Sequence, residues 1–140
     1  MNKFVKNKPS LLAGQGQARI ADLETSKSLV FSFKHFDPRQ GECWEDWQNE
    51  KLLARMCERF REHCLTEPFT KCFGERFKQY GPLPTNSRFR HPPHVPQDAV
   101  WTSMHIKGEP CVIGHMIRNV FYIVFLDKEH VFYPTTLKHT

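Results

Sequence analysis

The chain has 140 residues, 39% of them hydrophobic and 25% charged, a composition that fits one globular domain and excludes a disordered or fibrous protein. No apolar run reaches the roughly 18 residues of a membrane-spanning helix, so neither a span nor a membrane partner is expected. The net charge of +5, with a pI near 9.0, is compatible with a polyanionic partner.

The N-terminal residues are polar and basic. Their one apolar patch, at residues 11–13, is much shorter than the roughly 7 to 15 apolar residues of a secretory signal. We predict a basic flexible tail over residues 1–25 and a single α+β domain over residues 26–140. The five cysteines are odd in number and include no Cys-X-X-Cys pair, which indicates reduced thiols in a cytoplasmic protein.

One strand and two helices are predicted next along the chain. The apolar-rich segment 29–36 is typical of a strand, and an Asp-Pro turn ends it. A helix is predicted around residues 42–64, because apolar side chains recur there at helical spacing: Leu53, Met56, Cys57, Phe60 and Cys64. A second helix, from Pro68 to Gly81, is predicted from phenylalanines spaced four residues apart: Phe69, Phe73 and Phe77.

Residues 81–98 contain five prolines, which exclude a helix and disfavour a central strand, so a long loop is predicted. Loops of this length within a compact domain often carry function. Inside the loop, Arg88 and Arg90 flank Phe89, and such a combination of cations and a ring can hold phosphates and stack bases. The same pattern also occurs in ordinary solvated loops.

From residue 99 onward the hydrophobic period is two. This period predicts an antiparallel meander with strands at residues 100–106, 111–117 and 120–126. Turn lengths give the expected register, in which three pairs of side chains are neighbours: Ile106 with Cys111, His115 with Tyr122, and Thr102 with His115.

The meander has two different faces in this register. The more aliphatic face, which includes Ile113 and His115, is predicted to receive the helices. The opposite face, which includes Trp101, His105 and Phe125, is the candidate functional surface, provided that it is open to solvent.

The order of one strand, two helices and a three-stranded meander with a basic face resembles the RelE/HigB-like bacterial ribonuclease toxins. The segment AVWTSMHIKGEPCVIGHMIRNVFYIVFLDKEHVFY, residues 99–133, is similar to their closing meander. The resemblance rests on this segment and on element order rather than on a fixed motif. It implies a RelE-like α+β fold, endoribonuclease activity without a cofactor, RNA as the substrate with or without the ribosome, and a cognate antitoxin as protein partner.

Metal-free RNA cleavage needs a base for the ribose 2′-OH proton, a cation for the charged transition state and an acid for the leaving oxygen. Histidine can act as base or acid, because its ordinary pKa of about 6.5 lies close to neutrality. The candidate catalytic residues on and after the meander are His105, His115, His130 and Tyr133. The candidate nucleic-acid-binding residues are Arg88, Arg90, Trp101, Lys107, Arg118 and Lys128.

Three other interpretations stay open. His115 beside Tyr122 is also typical of a structural, hydrogen-bonded row, and His130 of a turn residue. His91 and His94 are closely spaced and could ligate a metal ion together with another histidine. The domain could also be a non-catalytic module that binds protein or RNA through its basic and aromatic surface.

Overall fold

The computed structural model describes residues 28–134 of the chain. Over this range the fold is α+β, with two helices and one five-stranded mixed sheet, which confirms the predicted class. Residues 1–27 and 135–140 lie outside the described range, and they include the whole of the predicted tail over residues 1–25.

The predicted helix around residues 42–64 is present as two consecutive helices. Helix α1 spans Trp44–Asn49, and helix α2 spans Leu52–Leu65. Lys51 separates them with a left-handed backbone, φ +62°, which interrupts the helical hydrogen bonding. The predicted apolar face of α2 is confirmed, because Met56 is buried and Phe60 packs against the same core.

The sheet has the spatial strand order β1-β5-β4-β3-β2. Its strands are β1 (Val30–Ser32), β2 (Phe77–Gly81), β3 (Val100–His105), β4 (Cys111–Ile117) and β5 (Val120–Asp127). Strand β1 runs parallel to β5, and all other neighbouring strands are antiparallel. The C-terminal meander is therefore confirmed, the N-terminal strand forms only over Val30–Ser32 of the predicted segment 29–36, and β2 is an additional strand.

The prediction of a second helix from Pro68 to Gly81 is wrong. Only a short 3-10 helix, Phe69–Cys72, forms in this segment, and the chain then enters β2. Gly74 lies between the two elements, and glycine destabilises a helix interior by about 1 kcal/mol relative to alanine. The phenylalanine spacing reflects a shared core instead, since the rings of Phe73 and Phe77 stack with centroids 4.7 Å apart.

Both faces of the sheet are covered. The two helices cover one face, in a core that includes the buried Trp47. The proline-rich loop, residues 82–99, covers the other face together with residues 131–134. Within this second layer the ring of Phe89 stacks on that of Phe125, with centroids 4.3 Å apart. The candidate functional surface predicted from the sequence is therefore buried over most of its area, and its ends and edges are the accessible parts. The prediction that the face of Ile113 and His115 receives the helices is wrong, because Ile113 lies in the core formed with the loop.

The register between β3 and β4 differs from the predicted one by a single residue. Cys111 pairs with His105 rather than with Ile106, because the Ile106 amide donates to the Pro110 carbonyl inside the turn, at 2.9 Å. A shift of one residue moves every side chain of a strand to the other face. His105 therefore shares the loop-covered face with His115, and the residue beside His115 on β3 is Trp101 rather than Thr102.

The register between β4 and β5 is confirmed where the two-residue turn sets it, since His115 pairs with Tyr122. Farther from the turn the pairing shifts between Ile113 and Gly114. The shift leaves Val124 as the extra residue of a β-bulge. At this point the amide of Asp37 donates to the Val124 carbonyl, at 2.9 Å, so the bulge also anchors the segment after β1.

Candidate functional site

One end of the sheet brings together side chains from three strands. His105 ends β3, Cys111 begins β4 and Asp127 ends β5. Backbone pairing places His105 opposite Cys111, and Cys111 opposite Asp127. Side chains paired in this way project on the same face with Cβ atoms about 5 Å apart. The three residues therefore form a row at the rim of the loop-covered face.

His130 joins this row through the turn that follows β5. The Asp127 carboxylate accepts hydrogen bonds from the amides of Val131, at 2.9 Å, and Phe132, at 2.8 Å. His130 has a left-handed backbone, φ +61°, which folds the chain back over the sheet end. Its ring faces that of His105, with centroids 5.3 Å apart. The His105–His130 site is defined by four residues: His105, Cys111, Asp127 and His130.

The edge strand β2 adds positive charge beside this site. Lys78 pairs with Ser103, two residues before His105 on β3, so the two side chains share the face of the site. Arg76 lies just before β2, and its carbonyl accepts a hydrogen bond from the His105 amide, at 2.8 Å. Both cationic side chains are exposed. A phosphate that approached His105 from this edge would meet two positive charges.

A groove of about 590 Å³ runs along the same edge, and its lining includes Lys78, Tyr80 and Tyr133. The hydroxyls of Tyr80 and Ser103 share a hydrogen bond of 3.1 Å, which ties the Tyr80 ring to β3. The ring of Tyr133 lies 5.0 Å from that of Tyr80, and Tyr133 is 42% exposed. The groove therefore offers an accessible aromatic surface beside the cations.

The surroundings of His105 favour its neutral form. Burial and the neighbouring charge of His130 lower the pKa of His105, and the charges of Arg76 and Lys78 act in the same direction. The Nδ1 atom of His105 is buried and has no hydrogen-bond partner among the residues that the structure describes. This nitrogen therefore has an unsatisfied hydrogen-bonding position and is closed to solvent.

Cys111 is fully covered at the centre of the row. Burial raises the pKa of its thiol, and the negative charges of Asp127 and Glu109 raise it further. The thiol Sγ lies 3.4 Å from the carbonyl oxygen of Glu109, to which it donates. A thiol in these surroundings is not a reactive nucleophile.

His115, a predicted catalytic residue, lies away from this site. It is four residues from Cys111 along β4, or about 13 Å at the rise of an extended strand. The side chain is fully buried, and its Nε2 lies 2.9 Å from Nδ1 of His35. Burial and the neighbouring His35, His91 and His94 lower the pKa of His115 to about 4. Its surroundings fit the structural interpretation rather than a catalytic one.

Trp101, a predicted nucleic-acid contact, is also fully buried. Its ring lies parallel to that of Phe125, with centroids 5.6 Å apart. The ring of His91 meets it edge-on at 5.4 Å. Trp101 has no open face on which a base could stack, so it cannot make the predicted nucleic-acid contact.

His91 and His94, the predicted alternative metal ligands, contact backbone carbonyls instead. The Nε2 atom of His91 lies within 3.1 Å of two carbonyl oxygens of its own loop. The Nε2 atom of His94 donates to the carbonyl of His35, at 2.8 Å. Over residues 28–134, the grouping of three potential metal ligands is a different one, formed by His105, Cys111 and His130.

Three predicted phosphate contacts lie at or near the His105–His130 end of the sheet. Arg88 and Arg90 are exposed on the proline-rich loop, and the Arg88 amide donates to the Val131 carbonyl, at 3.1 Å. Val131 directly follows His130, so the loop passes beside the site. Lys107 is exposed in the turn between β3 and β4, close to His105.

The other two predicted cations are placed differently. Arg118 lies in the turn between β4 and β5, at the opposite end of the sheet from Cys111. Lys128 follows Asp127, but its ammonium group forms an ion pair with the carboxylate of Glu50 at the end of α1. Its charge is therefore engaged within the protein.

The sequence interpretation assigns no functional role to Cys111, Asp127, Arg76 or Lys78. Cys111 and Asp127 each stand at the end of a strand, and the correct register aligns them with His105. With the correct strand register, this pairing would have identified Cys111 and Asp127 as neighbours of His105. Arg76 and Lys78 lie in the segment predicted to be helical, where no neighbour on β3 could be assigned to them.

Comparison of the chain with protein-family models, with curated proteins and with solved structures found no match. Within residues 28–134, neither helix has the length and the apolar character needed to cross a membrane.

Proposed function

We propose that this chain is a RelE-like endoribonuclease that cleaves RNA by metal-free acid/base catalysis at the His105–His130 site. The observation that carries the proposal is the contact between the two imidazoles, with ring centroids 5.3 Å apart, at a positively charged edge of the sheet. Two adjacent histidines can supply both of the proton transfers that RNA cleavage requires. RNA is the substrate class because the reaction uses the ribose 2′-OH as its nucleophile.

In the proposed reaction His105 takes the proton of the 2′-OH, and the 2′-oxygen forms a bond to the adjacent phosphorus. The bond between phosphorus and the 5′-oxygen breaks, and His130 donates a proton to that oxygen. The products are a 2′,3′-cyclic phosphate and a 5′-hydroxyl. Proton exchange with water then returns both imidazoles to their starting states.

Residues on and beside the edge strand β2 provide the positive charge and the aromatic ring that the proposed reaction also requires. Lys78 and Arg76 place positive charge where the phosphate becomes more negative in the transition state. Tyr133 presents an exposed ring in the neighbouring groove, on which a base can stack. Exposed cations and an exposed ring together match the requirements of a single-stranded RNA substrate.

Substrate binding must open the contact between the two rings, because a phosphate has to lie between them. His105 is held by the sheet, since its amide is hydrogen bonded to Arg76. His130 lies in a turn outside the sheet and is held mainly through Asp127. We therefore propose that the ring of His130, rather than that of His105, moves when the substrate binds.

Purified protein incubated with a mixed-sequence RNA in EDTA tests the proposal. Cleavage is expected to give 2′,3′-cyclic phosphate ends, and RNA methylated at the 2′-oxygen should stay intact. His130→Ala and His105→Ala should lose activity, whereas His94→Ala, which removes an exposed histidine elsewhere, should retain it. Cleavage that requires added Mg²⁺, or that persists in both site variants, would contradict the mechanism.

A non-catalytic RNA-binding module is the second candidate, and the exposed Arg76 and Lys78 on one edge favour it as much as they favour the nuclease. Salt-sensitive RNA binding without any cleavage in the same assay would identify it. The toxin proposal further includes a cytoplasmic location, a possible ribosome requirement and a cognate antitoxin. Growth arrest on expression, relieved by co-expression of the adjacent gene, tests that part.

A further inference from the structure

We propose that His105, Cys111 and His130 form a binding site for a transition-metal ion of the zinc class. One potential ligand atom from each side chain lies within 4.8 Å of the other two. The three residues come from β3, β4 and the turn after β5, so only the folded chain brings them together. Ligand atoms bound to one zinc ion are closer together than this, so the three side chains must move towards one another when the ion binds.

The types of ligand atom determine which class of metal ion can bind. Two imidazole nitrogens and one thiolate suit zinc, cobalt(II) and copper(I), whereas magnesium and calcium prefer oxygen donors. Three protein ligands leave a fourth tetrahedral position for water or another molecule. His105 and His130 are only partly buried, so an ion can reach the site from solvent.

The buried Nδ1 atom of His105 leaves one of the three proposed ligand side chains with an unsatisfied polar atom. Buried polar atoms in proteins almost always have a hydrogen-bond partner, and this one has none among the described residues. Cys111 is buried beside it and makes one weak contact, to the Glu109 carbonyl at 3.4 Å. An ion between these side chains would give each of them a strong partner.

The two carboxylates beside the thiol favour a cation there, whereas Arg76 and Lys78 lie on the β2 side of His105. Asp127 is paired with Cys111 across β4 and β5, and Glu109 lies two residues away in the turn. On binding, the Cys111 thiol loses its proton to solvent as the bond between sulfur and metal forms, so one proton is released per ion. Asp127 holds the turn of His130 through two amide hydrogen bonds, which is the role of a residue that positions a metal ligand.

The site uses the same imidazoles as the proposed nuclease. A nitrogen lone pair bound to a metal cannot accept a proton, and the ion would hold the two rings together where a phosphate has to enter. Metal binding would therefore switch the nuclease off. This second part of the inference rests on the proposed function, whereas the metal site itself does not.

Cobalt(II) and zinc titrations of the reduced, metal-free protein test the site. One equivalent of cobalt(II) is expected to bind, with an absorption band from thiolate to cobalt charge transfer and the visible bands of tetrahedral cobalt. Cys111→Ser should abolish the charge-transfer band, and His105→Ala and His130→Ala should each weaken zinc binding about tenfold or more. Cys57→Ser and His94→Ala, which remove an exposed thiol and an exposed histidine, should bind as the parent chain does.

Three results would overturn the site: no saturable binding, a charge-transfer band that survives in Cys111→Ser, or zinc affinity that none of the three substitutions changes. His130→Ala changes a surface turn, so it remains informative even if Cys111→Ser fails to fold. In the cleavage assay, saturating zinc should suppress activity and EDTA should restore it. If bound zinc leaves cleavage unchanged, inhibition of the nuclease by the metal is refuted, but the metal site is not. If no cleavage occurs at any metal concentration, the proposed nuclease function is refuted, but the metal site is not.

Discussion

The Asp127 carboxylate closes the turn that carries His130, by accepting hydrogen bonds from the amides of the two residues that follow the histidine. This contact connects the end of β5 to the position of a ring that both proposals require. The pairing of Asp127 with Cys111 places the same carboxylate beside the thiol. Stability and site geometry at this end of the sheet therefore depend on one buried side chain.

Replacement of Asp127 tests this dependence. In Asp127→Ala the amides of Val131 and Phe132 lose their acceptor, and hydrogen bonds to charged groups are worth about 1.5 to 3 kcal/mol each. We expect the free energy of unfolding, measured by urea denaturation, to fall by about 2 kcal/mol or more. Asp127→Asn keeps one acceptor oxygen and should lose less. Equal stability of Asp127→Ala and the parent chain would show that the turn is held by other contacts.

The two site histidines should matter for cleavage more than for stability. His130→Ala is expected to reduce turnover at least tenfold, which corresponds to about 1.4 kcal/mol in the activation barrier. The melting temperature should stay close to that of the parent chain, because the ring lies in a surface turn. Single-turnover cleavage and a thermal melt on the same sample make the comparison. A variant that loses activity only because it unfolds would instead identify His130 as a structural residue.

The edge cations should determine how RNA binding depends on salt. Lys78→Ala removes one phosphate contact, so the slope of log affinity against log salt should become shallower by about 0.7 for single-stranded RNA. Lys34→Ala is the matched control, because Lys34 is exposed beyond β1 at the opposite edge of the sheet. Fluorescence anisotropy at several salt concentrations measures both slopes. Identical slopes for the two variants would remove β2 from the binding surface.

Helix α2 and the β4–β5 hairpin could be predicted because their packing depends on local spacing. The apolar residues of α2 recur on one helical face, and Met56 and Phe60 contact the core from that face. The two-residue turn before β5 sets the register, so the pairing of His115 with Tyr122 follows from turn length alone. The segment 69–77 has a similar spacing, but Gly74 and the contact with β3 give it a different structure.

The sequence identifies His105 and His130 as candidates, but their arrangement with Cys111 and Asp127 could not be predicted, because contacts between distant segments align these residues. Turn length alone places Cys111 beside Ile106, and one hydrogen bond inside the turn moves His105 into that position. The covering of the second sheet face likewise depends on the stacking of Phe89 on Phe125, for which the loop sequence gives no periodic signal.

Gly114 allows β4 and β5 to approach closely at the bulge. A Cβ atom at this position would collide with the Tyr122 carbonyl oxygen, which belongs to the backbone and cannot rotate away. Overpacking of this kind costs about 1 to 3 kcal/mol, so Gly114→Ala should lower the urea midpoint markedly. Gly74→Ala is the control, because a Cβ there meets no atom within 4 Å. Similar midpoints for the two variants would show that the strands can separate at the bulge without loss of stability.

His115 should make the protein less stable in mild acid. Burial and the neighbouring His35, His91 and His94 lower its pKa to about 4 in the folded chain, whereas a histidine of the unfolded chain keeps its ordinary pKa of about 6.5. Between these pH values the unfolded chain binds more protons. The free energy of unfolding therefore decreases as pH falls from about 6.5 to about 4, and the contribution of His115 is constant above that window.

The full difference in pKa corresponds to roughly 3 kcal/mol. His115→Gln cannot titrate, so the stability of this variant should vary less with pH than that of the parent chain over the same window. The comparison is informative because every other titrating group is common to both chains. His94→Gln removes the smallest of the contributions that lower the pKa of His115, so this variant should keep most of the parental pH dependence. Urea denaturation at a series of pH values gives the three curves, and parallel curves for His115→Gln and the parent chain would mean that His115 is protonated in the folded state as readily as in the unfolded one.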